Sequence, residues 1–145
     1  MDLLGHGRTE KPLDVSYTIA SLTQFVKDFM AALGIEQAHV IGHSLGGAIA
    51  TRLAITVLTA VDKLVLVYSV GPGQEVTIVL RIATVPLLGE RFTRPSRSGS
   101  ASSGRMFVYD PASMTDELIE LNYQMASLPS AQQSFLKTLR ANGNL

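Results

Sequence analysis

The sequence predicts an α/β fold with a helical addition. Three observations carry that expectation. Apolar runs alternate between strand and helix character across residues 1–70. A Gly-x-Ser-x-Gly motif stands at one strand-to-helix boundary. Beyond residue 70 the sequence turns helical and loop-rich, with no further strand and no internal repeat. The expected organisation is a partial parallel α/β core over residues 1–70, a helical region over 71–140 and a short tail at 141–145.

Each element follows from its residues. Leu3-Leu4, running into Gly5-His6-Gly7-Arg8-Thr9-Glu10-Lys11-Pro12, reads as the tail of a strand entering a loop. Ile19, Leu22, Phe25, Val26, Phe29, Met30 and Leu33 recur at spacings of three and four, the apolar stripe of a helix that Gly34 stops. Ala38-His39-Val40-Ile41 is a short β-prone run ending at Gly42. From Leu45 through Val57 small apolar residues predict a helix buried on most of its surface. Lys63 to Val70 is a continuous apolar run, as expected of a strand buried on both faces. Gly71-Pro72-Gly73 is a break, and Val76 to Ala83 is a short helix. Arg94 to Arg105, rich in serine and glycine, has the composition of a mobile loop or linker. Met114 to Ser127 and Ala131 to Leu139 are helical by period, separated by Pro129.

Composition narrows the function. Twelve Lys+Arg balance twelve Asp+Glu, so the formal net charge is zero. No basic surface for nucleic acid or an anionic membrane is expected. At 46% hydrophobic and 17% charged, the chain is too apolar for disorder. It has no cysteine, which removes disulfides, thiolate catalysis and cysteine-bound zinc, and fits a cytoplasmic protein. Met1 to Gly7 has neither the basic nor the apolar region of a signal peptide. The run Leu64 to Val70 is far short of the ~20 residues of a membrane span.

Gly42-His43-Ser44-Leu45-Gly46 is the motif that carries chemistry. A serine on a sharp strand-to-helix turn presents its hydroxyl at the helix N-terminus, where free N–H groups favour developing negative charge. A turn this tight leaves no room for a Cβ at the flanking positions, which predicts glycine at both 42 and 46. The Leu45 backbone N–H is one expected oxyanion donor. The plain structural alternative is Ser44 as the N-cap of a glycine-rich helix.

Together, Gly42-His43-Ser44-Leu45-Gly46-Gly47 and Asp2-Leu3-Leu4-Gly5-His6-Gly7-Arg8-Thr9 resemble the α/β-hydrolase superfamily. The first is similar to the nucleophile elbow of its esterase-like and lipase-like members. The second is similar to the D-x-x-G-x-G-x-S/T segment after the family's fourth strand. The interval between them, one amphipathic helix and a strand, also agrees. The resemblance implies that Ser44 attacks a carbonyl, forms an acyl-enzyme and is released by water, with no metal or organic cofactor. Serine in place of aspartate disfavours the family's haloalkane dehalogenases and epoxide hydrolases. It favours esters, lactones, thioesters or carbon–carbon bonds, with a small carboxylic ester or related acyl compound as the expected substrate. Residues 71–140 resemble the helical cap that many members insert after the sixth strand.

In that family three strands precede the segment at Asp2, and the acid and histidine follow the serine. No histidine lies beyond His43. The resemblance therefore implies a truncated and nearly inactive chain, since losing the serine or histidine of such a triad costs about 10⁶ in kcat. His6 and His43 are the candidate bases within the chain. His39 is expected to be a surface residue of its strand, and Asp2 a structural residue of its loop. Asp110, Asp116 and Glu117 read as helix-terminal charges. Arg91, Arg94, Arg97 and Arg105 read either as a patch steering an anionic substrate or as a solvated loop face. Substrate-binding residues are not assigned. The alternative class is a catalytically silent binding or assembly module on the same fold. Two strands with bare edges do not bury enough to stand alone, so a homo-oligomer or strand-swapped dimer is expected.

Overall fold

The computed structural model describes residues 1–69 and 78–143. Residues 1–10 form linked turns. There follow α1 (Ile19–Ala32), β1 (Ala38–His43), α2 (Leu45–Thr56) and β2 (Val61–Val67). Beyond them come α3 (Ile78–Thr84), α4 (Leu88–Phe92), α5 (Arg97–Met106), a single 3-10 turn (Pro111–Ser113), α6 (Asp116–Ala126) and α7 (Ala131–Asn142).

The stripe read in the sequence starts α1, and Thr18 caps it by accepting from the Ser21 N–H. Gly34 follows at φ +66°, where the chain leaves the helix. β1 and β2 pair in parallel, with Val40 opposite Leu64, Ile41 opposite Val65, Gly42 opposite Leu66 and His43 opposite Val67. Helix α2 packs on both strands and on α1, whose Val26 and Met30 join Val40 and Val61 in one cluster. Two apolar clusters fill that layer. Met30, Leu53 and Ala60 meet Val26, Ala38, Val40 and Val57, while Tyr17, Leu22 and Ile49 meet Leu3, Leu4, Ile19 and Leu45.

The structure corrects the sequence reading at four places. β2 is buried on neither face: Leu64, Val65, Leu66 and Val67 are all exposed, as is Ile41 beside Val65. A single helical layer covers the sheet, and among the described residues nothing packs on its other face. Leu3-Leu4 forms a turn rather than the end of a strand, because no described strand lies beside it. Residues 97–106 are the helix α5, not a linker. Ser96 starts it by accepting from the Gly99 N–H, α6 packs against it, and Gly104 meets the Met114 side chain at the end of the 3-10 turn. The short helix α4 has no apolar period long enough to announce it. The break at Gly71-Pro72-Gly73 and the start of the helix expected from Val76 lie outside the described residues.

Candidate active site at the first strand-to-helix turn

Ser44 extends the ladder of β1 by one bond, its N–H donating to the Val67 carbonyl at 3.1 Å. The chain then reverses on Ser44 itself, at φ 51° and ψ −121°. A non-glycine residue held there carries strain of about 1–3 kcal/mol. The Ser44 carbonyl accepts from the Gly47 N–H at 2.9 Å, which begins α2. Although Ser44 occupies the N-cap position, its side chain makes no capping bond. The N-cap alternative is thereby removed, and the half-buried hydroxyl is not spent on the helix. Leu45, next in sequence, opens the first turn, whose N–H groups have no partner within the helix.

The glycines divide differently from the expectation. A Cβ on Gly42 would stand 2.6 Å from the Gly47 Cα, so the strand and the first turn of α2 touch there. A Cβ on Gly46 meets no described atom within 4 Å. The second close approach belongs to Gly47 instead, whose Cβ would stand 2.5 Å from the Ser69 Cβ. Gly46 was expected because the motif is symmetric in sequence. The helix makes it asymmetric in space, turning position 46 outward and position 47 toward the end of β2.

Tyr68 was not singled out by the sequence, and its φ of 46° repeats the left-handed turn of Ser44. Because His43 pairs with Val67, the two left-handed residues follow neighbouring strand ends.

The loop before α1 is built as its motif implied. The Asp2 carboxylate accepts from the Arg8 N–H at 2.8 Å, and the Thr9 hydroxyl donates to the Asp2 carbonyl at 3.0 Å. Gly5, at φ +80°, lies against the Tyr17 ring. His6 lies within this loop, its Nδ1 2.9 Å from the Leu4 carbonyl. A carbonyl only accepts, so Nδ1 carries the proton and Nε2 is the basic nitrogen of the neutral ring. Leu3, Leu4 and Leu45 meet one cluster, which puts this loop and the start of α2 on the same side of the fold.

The other imidazoles are placed differently. His43, exposed, immediately precedes Ser44 on the strand. His39 pairs with Asp62 at 3.0 Å near the start of the strands, at the opposite end from Ser44. Asp110 caps the 3-10 turn through the Ala112 N–H, and Asp116 and Glu117 open α6. Arg97 is paired with Glu120, while Arg91 and Arg94 line an open surface groove with Phe92, Pro95 and Ser96. Among the described residues no helix is long and apolar enough to cross a membrane.

Comparison with known proteins adds a family. A profile described as alpha/beta hydrolase fold matches residues 1–141. A 2-hydroxymuconate semialdehyde hydrolase of Pseudomonas putida is 36% identical over 92% of this chain and 45% of its own length. A meta-cleavage product hydrolase of Pseudomonas fluorescens IP01 superposes with a TM-score of 0.79 at 30% identity, over 96% of this chain and 50% of its own. Cfl2 of Burkholderia cenocepacia superposes with a TM-score of 0.87 at 18% identity, over 99% of this chain and 53% of its own, a likeness of fold alone. The chain spans about half the length of these relatives.

Proposed function

Because the chain belongs to the α/β hydrolase family, we propose that it serves a serine hydrolase acting on acyl compounds, with Ser44 as the nucleophile. The carrying observation is Ser44 itself: a non-glycine residue at φ 51° on a strand-to-helix turn, its hydroxyl free of the capping role. Ser44 Oγ bonds to the carbonyl carbon as a base takes its proton. The carbonyl oxygen becomes an oxyanion, for which the Leu45 N–H is one donor. Collapse breaks the bond to the leaving group, which takes the proton, and water then releases the acid from Oγ.

Two substrate classes fit this chemistry. One is a small carboxylic ester. The other is a conjugated oxo-acid of the kind in the name of the Pseudomonas putida relative. Helices α3 to α7 form the cap of the site in this reading. His6 is the better placed of the candidate bases, since Nδ1 is held by Leu4 and the basic nitrogen is Nε2. His43 is the second.

Turnover of a p-nitrophenyl ester and of 2-hydroxymuconate semialdehyde, measured beside Ser44→Ala, tests the proposal. Weak turnover that vanishes in the variant is the expected result, in keeping with a chain that has no histidine beyond His43. His6→Gln and His43→Gln then locate the base. Equal background in protein and variant overturns the reading and leaves a catalytically silent binding module.

A further inference from the structure

Helix α7 lies along the segment that leads into α1. Its N-terminal end, with Leu128, Pro129 and Ser130, faces Thr9 to Pro12 across an open groove of about 450 Å³. In its middle, the Lys137 ammonium donates to the Leu13 carbonyl. At its last residue, Asn142 Oδ1 accepts from the Ile19 N–H at 3.0 Å. The same amide's Nδ2 donates to the Tyr17 carbonyl at 2.9 Å and to the Thr138 carbonyl at 2.7 Å. One side chain thus caps α1 from more than 120 positions away and ties the last turn of α7 to the residue that anchors the core.

On its other side α7 holds the remaining helices. Arg140 donates to the Thr84 carbonyl at 3.0 Å and to Glu90 at 2.8 Å. Gln132 donates to the Glu90 carbonyl at 2.6 Å and to the Thr93 hydroxyl at 3.2 Å. Among the described residues α3 to α6 make no more than marginal contact with α1, α2 or the sheet. The described links between the two bodies therefore run along α7. The side-chain hydrogen bonds described between the bodies come from Lys137 and Asn142, while the other end of the same helix borders the groove.

We propose that α7 is a strap and that Asn142 is its latch. With the amide engaged, the helical segment is fixed against Tyr17 and Ile19. With it released, α3 to α7 swing about the remaining contact of Lys137 with Leu13 and change the width of the groove. Tyr17 is 1% exposed and lies under Gly5, in the cluster that Leu45 also meets. The latch is therefore anchored on the residue beneath the loop and the start of α2.

The chain has no cysteine, so two spin labels can be placed without background. Labels at Gln24→Cys on α1 and Ser102→Cys on α5, both exposed positions, report the distance between the bodies by pulsed electron resonance. Asn142→Ala is expected to broaden that distance distribution and to speed exchange of the Ile19 amide about tenfold, leaving amides of β1 and α2 protected. Asn142→Asp keeps an acceptor for Ile19 and loses the donor to Tyr17, and it is expected to broaden the distribution as well. Thr18→Ala removes the other cap of α1 and is expected to leave the distance narrow. A distribution unchanged in both Asn142 variants overturns the proposal. So does equal broadening in Thr18→Ala, which would make Asn142 only a helix cap. Loss of protection throughout β1 and α2 also overturns it, making the residue a determinant of folding.

Discussion

Gly42 and Gly47 approach so closely that a Cβ on Gly42 would stand 2.6 Å from the Gly47 Cα. This contact sets how near α2 comes to the sheet, and hence where Ser44 stands. Gly46, the glycine that the sequence motif emphasises, borders no described atom within 4 Å of a built Cβ. The two positions are expected to respond oppositely to alanine. Gly42→Ala forces the strand and helix apart and costs about 2–3 kcal/mol. Gly46→Ala lowers the entropy of the unfolded chain and improves a helix position, for a gain of about 0.5–1 kcal/mol. Chemical denaturation of the two variants beside the parent checks the sign of each.

Ser44 stores strain where the chemistry is proposed. Glycine adopts φ 51° without that cost. Ser44→Gly is expected to raise stability by about 1 kcal/mol while removing all covalent chemistry at this position. Thermal melting shows the gain. A variant less stable than the parent would mean that the serine side chain stabilises the turn.

Leu53 anchors the layer between α1, α2 and the sheet. It is 0% exposed and clusters with Met30 and Ala60. Leu53→Ala is expected to cost about 3 kcal/mol from lost burial and a residual cavity. Urea unfolding followed by circular dichroism measures it. Ile41→Ala, on the open face where Ile41 is 73% exposed, is expected to cost less than about 0.5 kcal/mol.

The Glu90 carboxyl is held below its ordinary value of 4.5, chiefly by the hydrogen bond from Arg140 and then by its own backbone N–H. A depressed carboxyl stabilises the fold above its unfolded value, and that contribution is lost as pH falls through the lowered folded value. The junction of α4 with α7 is therefore expected to loosen only in acid, below about pH 4.5. Both side chains are partly solvent-exposed, so the effect is small. Glu90→Gln is expected to flatten the acid limb of a stability profile and to leave neutral pH nearly unchanged.

Much of the fold was legible because its signals are local. The stripe from Ile19 to Leu33, the stop at Gly34 and the small residues after Ser44 each specify an element within a few residues. The sharp turn at Ser44 was legible for the same reason: Gly42 to Gly47 is a contiguous motif. What was missed depends on contacts distant in sequence. Helix α5 has no buried residue, and α6 supplies the surface on which it rests. The apolar run of β2 carries the pattern of two covered faces, yet in the described structure Leu64 to Val67 are exposed on both. Asn142 reads as an ordinary polar residue near the end of the sequence, and only the fold brings its amide to Ile19 and Tyr17. Tyr68 has no sequence feature that announces a left-handed backbone.

The central claim is that Ser44 is a nucleophile. Intact-mass analysis after exposure to a fluorophosphonate, beside Ser44→Ala, tests it most directly. A single covalent event, unlike turnover, does not need the step that releases the acyl group. The expected result is one adduct, on the peptide containing Ser44, and none on the variant. No adduct on either protein, or the same adduct on both, would contradict it.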